Sequence, residues 1–126
     1  MPTVDPAYAT LLDMVYHAFN TRNMSAALAL MRPDVEWPSG LKDRYLCGYE
    51  ALRDFWTTQW QQLDVFINPL AYHPLPDGRV ATRVSQLAHD GAGAVVIDNQ
   101  VAHIYQFEGG LIKRMDIKSI HFLDQF

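Results

Sequence analysis

The sequence predicts an α+β domain in which three helices precede a meandering antiparallel sheet, and three observations carry that prediction. Apolar residues recur at helical spacing through the first half, the period changes to two after residue 64, and the later runs are joined by short turns. Connections that short force neighbouring strands to run antiparallel.

The first helix is announced by Asp5 and Pro6, a side chain that can cap free amides followed by a residue whose missing N–H costs nothing at the first helical position. Tyr8, Leu11, Leu12, Val15, Tyr16 and Phe19 then fall on one side of a 3.6-residue helix that stops near Asn20. Asn23 can cap a second, shorter helix carrying Met24, Leu28 and Met31, ended by Arg32-Pro33. Val35-Glu36-Trp37 is a short extended piece, and Pro38-Ser39-Gly40 opens a polar loop that runs to Gly48. Leu52, Phe55, Trp56, Trp60 and Leu63 give a third helix with an aromatic face.

In the second half, residues Asp64 to His73 favour a strand, and Pro69 within it indicates an edge position or a bulge, because proline cannot donate to a ladder. Pro76-Asp77-Gly78 supplies a turn. Three long strands follow, Arg79 to His89, Ala94 to Phe107 and Leu111 to His121, joined by Asp90-Gly91-Ala92-Gly93 and Glu108-Gly109-Gly110.

Composition narrows the function classes. A chain of 126 residues with 49% hydrophobic residues is long enough to bury about two-thirds of its surface and support one domain, spanning residues 1–126. The net charge of −4, without a Lys/Arg cluster, argues against nucleic acid as a partner. No run approaches eighteen apolar residues, and the N-terminal Met-Pro-Thr-Val-Asp-Pro carries no basic segment leading into an apolar one, so the expectation is a soluble, cytoplasmic protein without a membrane partner. Cys47 is the single cysteine, which excludes an internal disulfide, and no CxxC or HExxH spacing occurs. Neither a metal nor a cofactor is expected.

Strand parity sets the inner face. In the last strand Arg114, Asp116 and Lys118 share the even side, whereas Leu111, Met115, Ile117 and Ser119 share the odd one, which therefore turns inward. The strand before it is likewise apolar on its odd side, through Val95, Ile97, Val101, Tyr105 and Phe107. A turn pairing Phe107 with Leu111 sets His103 opposite Met115, Val101 opposite Ile117 and Asn99 opposite Ser119. One strand earlier, Val80, Thr82, Val84 and Gln86 face in. The inner face is thus apolar but interrupted by Thr82, Gln86, Asn99, His103, Tyr105 and Ser119. Six polar groups do not suit a dry core, where each unpaired one costs roughly 1–3 kcal/mol; they imply a hydrogen-bonded network, a wet cavity or a ligand site. Helices bearing Phe19, Phe55, Trp56 and Trp60 over a curved sheet favour the cavity.

Several strings resemble the nuclear transport factor 2-like superfamily, in particular its SnoaL-like and ketosteroid isomerase-related branch. They are Ala18-Phe19-Asn20-Thr21-Arg22-Asn23, Pro33-Asp34-Val35-Glu36-Trp37, Gly48-Tyr49-Glu50-Ala51-Leu52-Arg53-Asp54-Phe55-Trp56, and Ala102-His103-Ile104-Tyr105-Gln106-Phe107 leading through Gly109-Gly110 into Leu111-Ile112-Lys113-Arg114-Met115-Asp116-Ile117. The resemblance covers nearly the whole chain. It implies a cystatin-like, cone-shaped half-barrel, a deep pocket between the concave sheet and the helices, and a homodimer through the outer sheet face, with Val96, Ile104, Ile112 and Ile120 turned outward. At the positions of the isomerase tyrosine, base and protonated aspartate stand Val15, Trp37 and His103. Neither Val15 nor Trp37 can move a proton in those roles. Tyr16, about 100° further round the helix, is not expected to replace Val15. The carboxylate used by polyketide cyclases has Asp116 as its counterpart, which the register turns outward.

His103 is the first candidate for acid/base work, because an imidazole in an apolar pocket is pushed toward its neutral form; Tyr105 is the second. A histidine satisfied within the core is the plainer reading. Trp37, Val15, Phe19, Phe55 and Trp56 are candidate ligand contacts from the first half of the chain. Val84, Gln86, Asn99, Val101, Met115, Ile117 and Ser119 are candidates from the sheet. The loop from Pro38 to Gly48 could act as a lid, and Cys47, with no adjacent activating residue, is not expected to be a nucleophile. Two functions follow: an isomerase- or cyclase-type enzyme moving protons on an apolar or aromatic small molecule, or a non-catalytic binding or dimerisation module.

Overall fold

The computed structural model describes residues 3–41 and 43–125. Met1 and Pro2, on which part of the N-terminal reading falls, and Lys42 of the polar loop lie outside the described residues. The elements run α1 (Pro6–Asn20), α2 (Met24–Leu28), β1 (Met31–Pro38), β2 (Tyr45–Cys47), α3 (Tyr49–Gln62), β3 (Asp64–Pro74), β4 (Val80–His89), β5 (Val95–Glu108), β6 (Leu111–Ser119) and a closing 3₁₀ helix (Ile120–Gln125). The strands form one curved, unclosed sheet in the order β2-β1-β6-β5-β4-β3. All neighbours are antiparallel except β1 and β6.

Both caps form as expected: Asp5 accepts from the amide of Ala7 at 2.9 Å and Asn23 from that of Ala26 at 3.2 Å. The chain reverses between the two helices with Arg22 in the left-handed region. The apolar stripe of α1 then buries Leu12, Val15, Tyr16 and Phe19 against the sheet. At the end of that helix the Asn20 amide donates to the carbonyl of Ile67 at 2.8 Å and accepts from its N–H at 2.9 Å, standing in for a neighbouring strand along the edge of β3. Pro69 lies in that edge strand beside a register shift, so both readings of the proline hold.

Several expectations are corrected. The second helix ends at Leu28, and Met31 instead begins β1, where it is fully buried; proline at position 33 is tolerated in this irregularly paired stretch. The loop from Pro38 to Gly48 contains β2, whose pairing with β1 turns it into a hairpin arm. The last strand stops at Ser119, and His121 belongs to the 3₁₀ helix rather than to a strand facing Ile97.

The β5–β6 register is the most consequential correction. Gly109 and Gly110 both have positive φ, 62° and 81°, so they form a two-residue turn that pairs Glu108 with Leu111. A bulge follows, with Phe107 opposite Ile112 and Gln106 opposite Arg114, leaving Lys113 as the extra residue. Turn and bulge each shift the pairing by one, so His103 lies opposite Ile117, Tyr105 opposite Met115 and Val101 opposite Ser119. A shift of two preserves the faces of Met115, Ile117 and Ser119. The bulge also returns Ile112 to the inner core, where it is fully buried, so it does not point outward. Ile104 does face outward, yet it is 1% exposed because it packs with Leu75, Ala81 and Ala102 beneath Phe122 and Leu123 of the 3₁₀ helix. Ile120 is half-buried, and of the four only Val96 is openly exposed.

Candidate functional site

The space between α1, α3 and the concave sheet is a cavity of about 180 Å³. That is somewhat more than the roughly 150 Å³ apolar cavity known to admit benzene, so a substituted ring fits. Helix α1 contributes Val15, Tyr16 and Phe19, and α3 contributes Phe55, Trp56 and Gln59. From β1 and the segment after it come Trp37, Pro38 and Gly40. The sheet adds Val65, Ile67, Gln86 and Ile97 toward one end and His103, Tyr105, Met115 and Ile117 toward the other. None of these side chains carries a full charge near neutral pH except through titration of His103.

The aromatic wall is interlocked. Trp37 meets Trp56 edge to face at 5.3 Å between ring centroids, Phe19 meets Trp56 at 5.5 Å, and Trp37 meets Tyr105 at 6.3 Å. Such arrangements suit the ring quadrupoles and hold the wall rigid.

At the buried end lies a chain of three polar rings. The Tyr105 hydroxyl donates to the Tyr16 hydroxyl at 2.8 Å, and the Tyr16 oxygen is 3.0 Å from Nδ1 of His103. Having accepted from Tyr105, the Tyr16 hydroxyl can either donate to Nδ1 or accept from an Nδ1–H, and that choice sets whether Nε2 carries the proton or the lone pair. That nitrogen is buried and has no protein partner among the described residues. Thr82, paired with His103 across the strands, is also fully buried, and its hydroxyl lies near Tyr16 without a hydrogen bond of normal geometry. Burial lowers the His103 pKa to about 4, so the ring is neutral at physiological pH. Burial likewise raises both tyrosines, Tyr16 further through its neighbour Tyr105. All three groups are therefore held uncharged.

Among the sequence candidates, His103, Tyr105, Trp37, Val15, Phe19, Phe55, Trp56, Gln86, Met115 and Ile117 line this cavity. Four do not. Val84 and Val101 pair with each other under the packed core, and Asn99 and Ser119 sit where β5 and β6 run beyond the cover of the helices, both exposed. Asn99 reaches the site only indirectly, accepting from the Gln86 amide at 3.0 Å. Asp116 faces outward, as the register implied, in a surface cluster with Arg114 and Tyr45. Cys47 is exposed and is not among the residues that line the cavity.

Tyr16 is the residue that sequence reasoning set aside. Its position 100° from Val15 was the reason, yet both line the cavity, because the apolar stripe of α1 is wide enough to present both. The signal was present in that stripe: a tyrosine buried among leucines needs a partner for its hydroxyl. Gln59 was also missed: it stands four residues after Phe55 and three after Trp56, on the face of α3 that carries them, and its polarity alone kept it out of the aromatic stripe.

The SnoaL-like domain family covers residues 12–115, from the first helix to the middle of β6, and the chain belongs to that family. Solved structures similar to it confirm the nuclear transport factor 2-like fold. TerC, co-crystallised with polyporic acid, is 19% identical with a TM-score of 0.77, covering 94% of this chain and 95% of its own. An NTF2-like protein of unknown function from Burkholderia pseudomallei is 16% identical with a TM-score of 0.78, covering 95% of each chain. A Mycobacterium tuberculosis protein solved in complex with estradiol-17beta-hemisuccinate is 16% identical with a TM-score of 0.77, covering 88% of this chain and 92% of its own. No curated protein sequence matches the chain.

Proposed function

We propose that the protein binds an apolar, ring-bearing small molecule in this cavity and moves a proton on it, as an isomerase- or cyclase-type enzyme that uses no cofactor. The observation that carries this reading is His103: a neutral imidazole at the buried end of an uncharged cavity, with Nε2 lacking any protein partner among the described residues. With the ring proton on Nε2, Nε2–H can donate to a carbonyl oxygen of the ligand. In the other tautomer its lone pair can take a proton from an acidic carbon and return it to another, which balances without a co-reactant. Tyr16 and Tyr105 act as positioning residues that hold the ring and decide between those tautomers.

The ligands of TerC and of the mycobacterial protein, polyporic acid and an estradiol ester, are larger than this cavity holds but share the apolar ring chemistry that its aromatic wall suits. Trp37 and Trp56 line the cavity, so binding should quench tryptophan fluorescence and allow a panel of ring compounds to be ranked. Product analysis on the compounds that bind then tests catalysis: turnover abolished by His103→Ala is the expected result. Turnover unchanged in that variant would overturn the role of His103.

The second reading is a binding module that leaves its ligand unchanged. Its support is the pair Val15 and Trp37, which occupy cavity positions without any group able to exchange a proton. Saturable quenching with fully recovered ligand would select it. Within the same proposal, two copies associate through the outer sheet face, where Phe66 and Leu87 form an exposed apolar pair and Val96 lies half exposed; light scattering at micromolar concentration should give twice the chain mass. The cytoplasmic location is proposed on the lone, exposed thiol of Cys47.

A further inference from the structure

The geometry points to a second polar subsite at the rim of the cavity, formed by the side-chain amides of Gln86 and Gln59, that takes an uncharged hydroxyl, carbonyl or amide at the far end of an elongated ligand. This rests on the reading of the cavity as a ligand site and adds the shape and chemistry of what enters it.

Gln86 and His103 lie on the same inner face of adjacent strands. Gln86 pairs with Asn99, and Thr82 pairs with His103, so the two polar positions are four residues apart along the sheet. At the rise of a β-strand that is about 13 Å; a hydrogen bond of about 3 Å at each end leaves about 7 Å, the span of one ring with polar atoms on para substituents. The rest of the lining is hydrocarbon and aromatic: Phe55 and Trp56 cover it from α3, Ile67 stands level with Gln86, and Val65 and Ile97 lie one rung beyond it.

The two ends differ in exposure. His103 and Tyr105 are 3% and 1% exposed, whereas Gln86, Gln59 and Ile97 are half-buried, so the amides stand where a ligand leaves the interior for water. Gln86 is also held. Its amide nitrogen donates to Asn99 at 3.0 Å, which fixes the side-chain plane and leaves its carbonyl oxygen unengaged. Gln59 approaches the same space from α3, on the opposite wall. A pair of amides offers both donors and acceptors, and among the described residues no charged side chain lines the cavity, so the complement is a neutral group that both donates and accepts. A carboxylate or ammonium there would lose water without gaining a counter-charge.

The test uses two probes, acetophenone and its para-hydroxy derivative, titrated by tryptophan quenching. In the unaltered protein the hydroxyl should tighten binding about tenfold, the effect of one well-placed hydrogen bond to a held partner. In the double variant Gln59→Leu, Gln86→Leu that preference should vanish while acetophenone still binds, which also shows that the variant is folded. Gln86→Met alone, which keeps the side-chain length, should remove most of it. Equal affinity of the two probes in the unaltered protein, or a preference that survives in the leucine variant, overturns the rim subsite and leaves the cavity reading standing. Failure of both probes to bind the unaltered protein overturns the cavity reading and the subsite together.

Discussion

Tyr16 of the first helix and His103 of the fifth strand, 87 positions apart in the chain, place a hydroxyl oxygen and a ring nitrogen 3.0 Å apart. The hydroxyl has two partners there, Tyr105 and the imidazole, whereas Tyr105 has only one. Replacing Tyr16 by phenylalanine therefore strands two buried partners, and replacing Tyr105 strands none that is not still hydrogen-bonded. Tyr16→Phe should cost about 1–3 kcal/mol and Tyr105→Phe about 1 kcal/mol or less, measured by denaturant titration. Equal losses in the two variants would contradict the central place of Tyr16 in the chain of rings.

The imidazole itself couples folding to pH. Its pKa falls from 6.5 in the unfolded chain to about 4 in the folded one, because burial disfavours the cation. The unfolded state thus binds the proton more readily, and the stability that His103 contributes is present above pH 6.5 and lost as pH falls toward 4. The difference in stability between the wild type and His103→Gln should shrink through that window by an amount of order 3 kcal/mol. Urea unfolding of both proteins at a series of pH values checks this, and a difference independent of pH would place a charged ring in the fold.

Asn20 clasps the exposed edge of β3 through both of its amide atoms. Asn20→Ala removes a donor and an acceptor from Ile67 at once and should cost about 1–3 kcal/mol. Asn20→Asp keeps the acceptor alone and should lie between. Amide hydrogen exchange at Ile67 should quicken in Asn20→Ala and much less in Asn20→Asp, which still accepts from that N–H; unchanged exchange in the alanine variant would show that the clasp does not protect the edge.

The β5–β6 turn is a matter of backbone rather than contact. A Cβ at position 110 meets nothing within 4 Å, yet its φ of 81° is one that L residues avoid. Gly110→Ala should therefore cost about 1–2 kcal/mol while leaving ligand binding unchanged, since the strain is local and Gly110 does not line the cavity. Calorimetry and the quenching titration together test it.

Much of the fold was legible because its signals are local. Asp5, Asn23 and Pro69 each act on their neighbours, and period-two alternation around Met115 and Ile117 points the same way whether the register slips by two or not. The features that escaped depend on distant partners. Nothing in Tyr45-Leu46-Cys47 marks a strand until Glu36 and Trp37 lie alongside it. The bulge at Lys113 leaves no local trace, and Ile104 reads as outward and bare until the 3₁₀ helix folds over it. At the site, His103 was legible as a polar residue on an apolar strand face, whereas Tyr16 and Gln59 join it only through packing. Asn99 and Ser119 have the right parity but the wrong place along their strands, a distinction that depends on where the helices end.

The bulge gives the hairpin one spare residue. Excising Lys113 would leave Phe107 beside Ile112 and Gln106 beside Arg114 as ordinary consecutive rungs, with every inward side chain still inward. The loss would be the ion pair from Lys113 to Asp34 on the neighbouring strand, an exposed contact at 2.8 Å. Removing a residue from within Arg114 to Lys118 instead would invert the strand's phase and turn charge into the cavity. Chain length is therefore negotiable at a single point of this strand, and a homologue shortened there would keep the same binding surface.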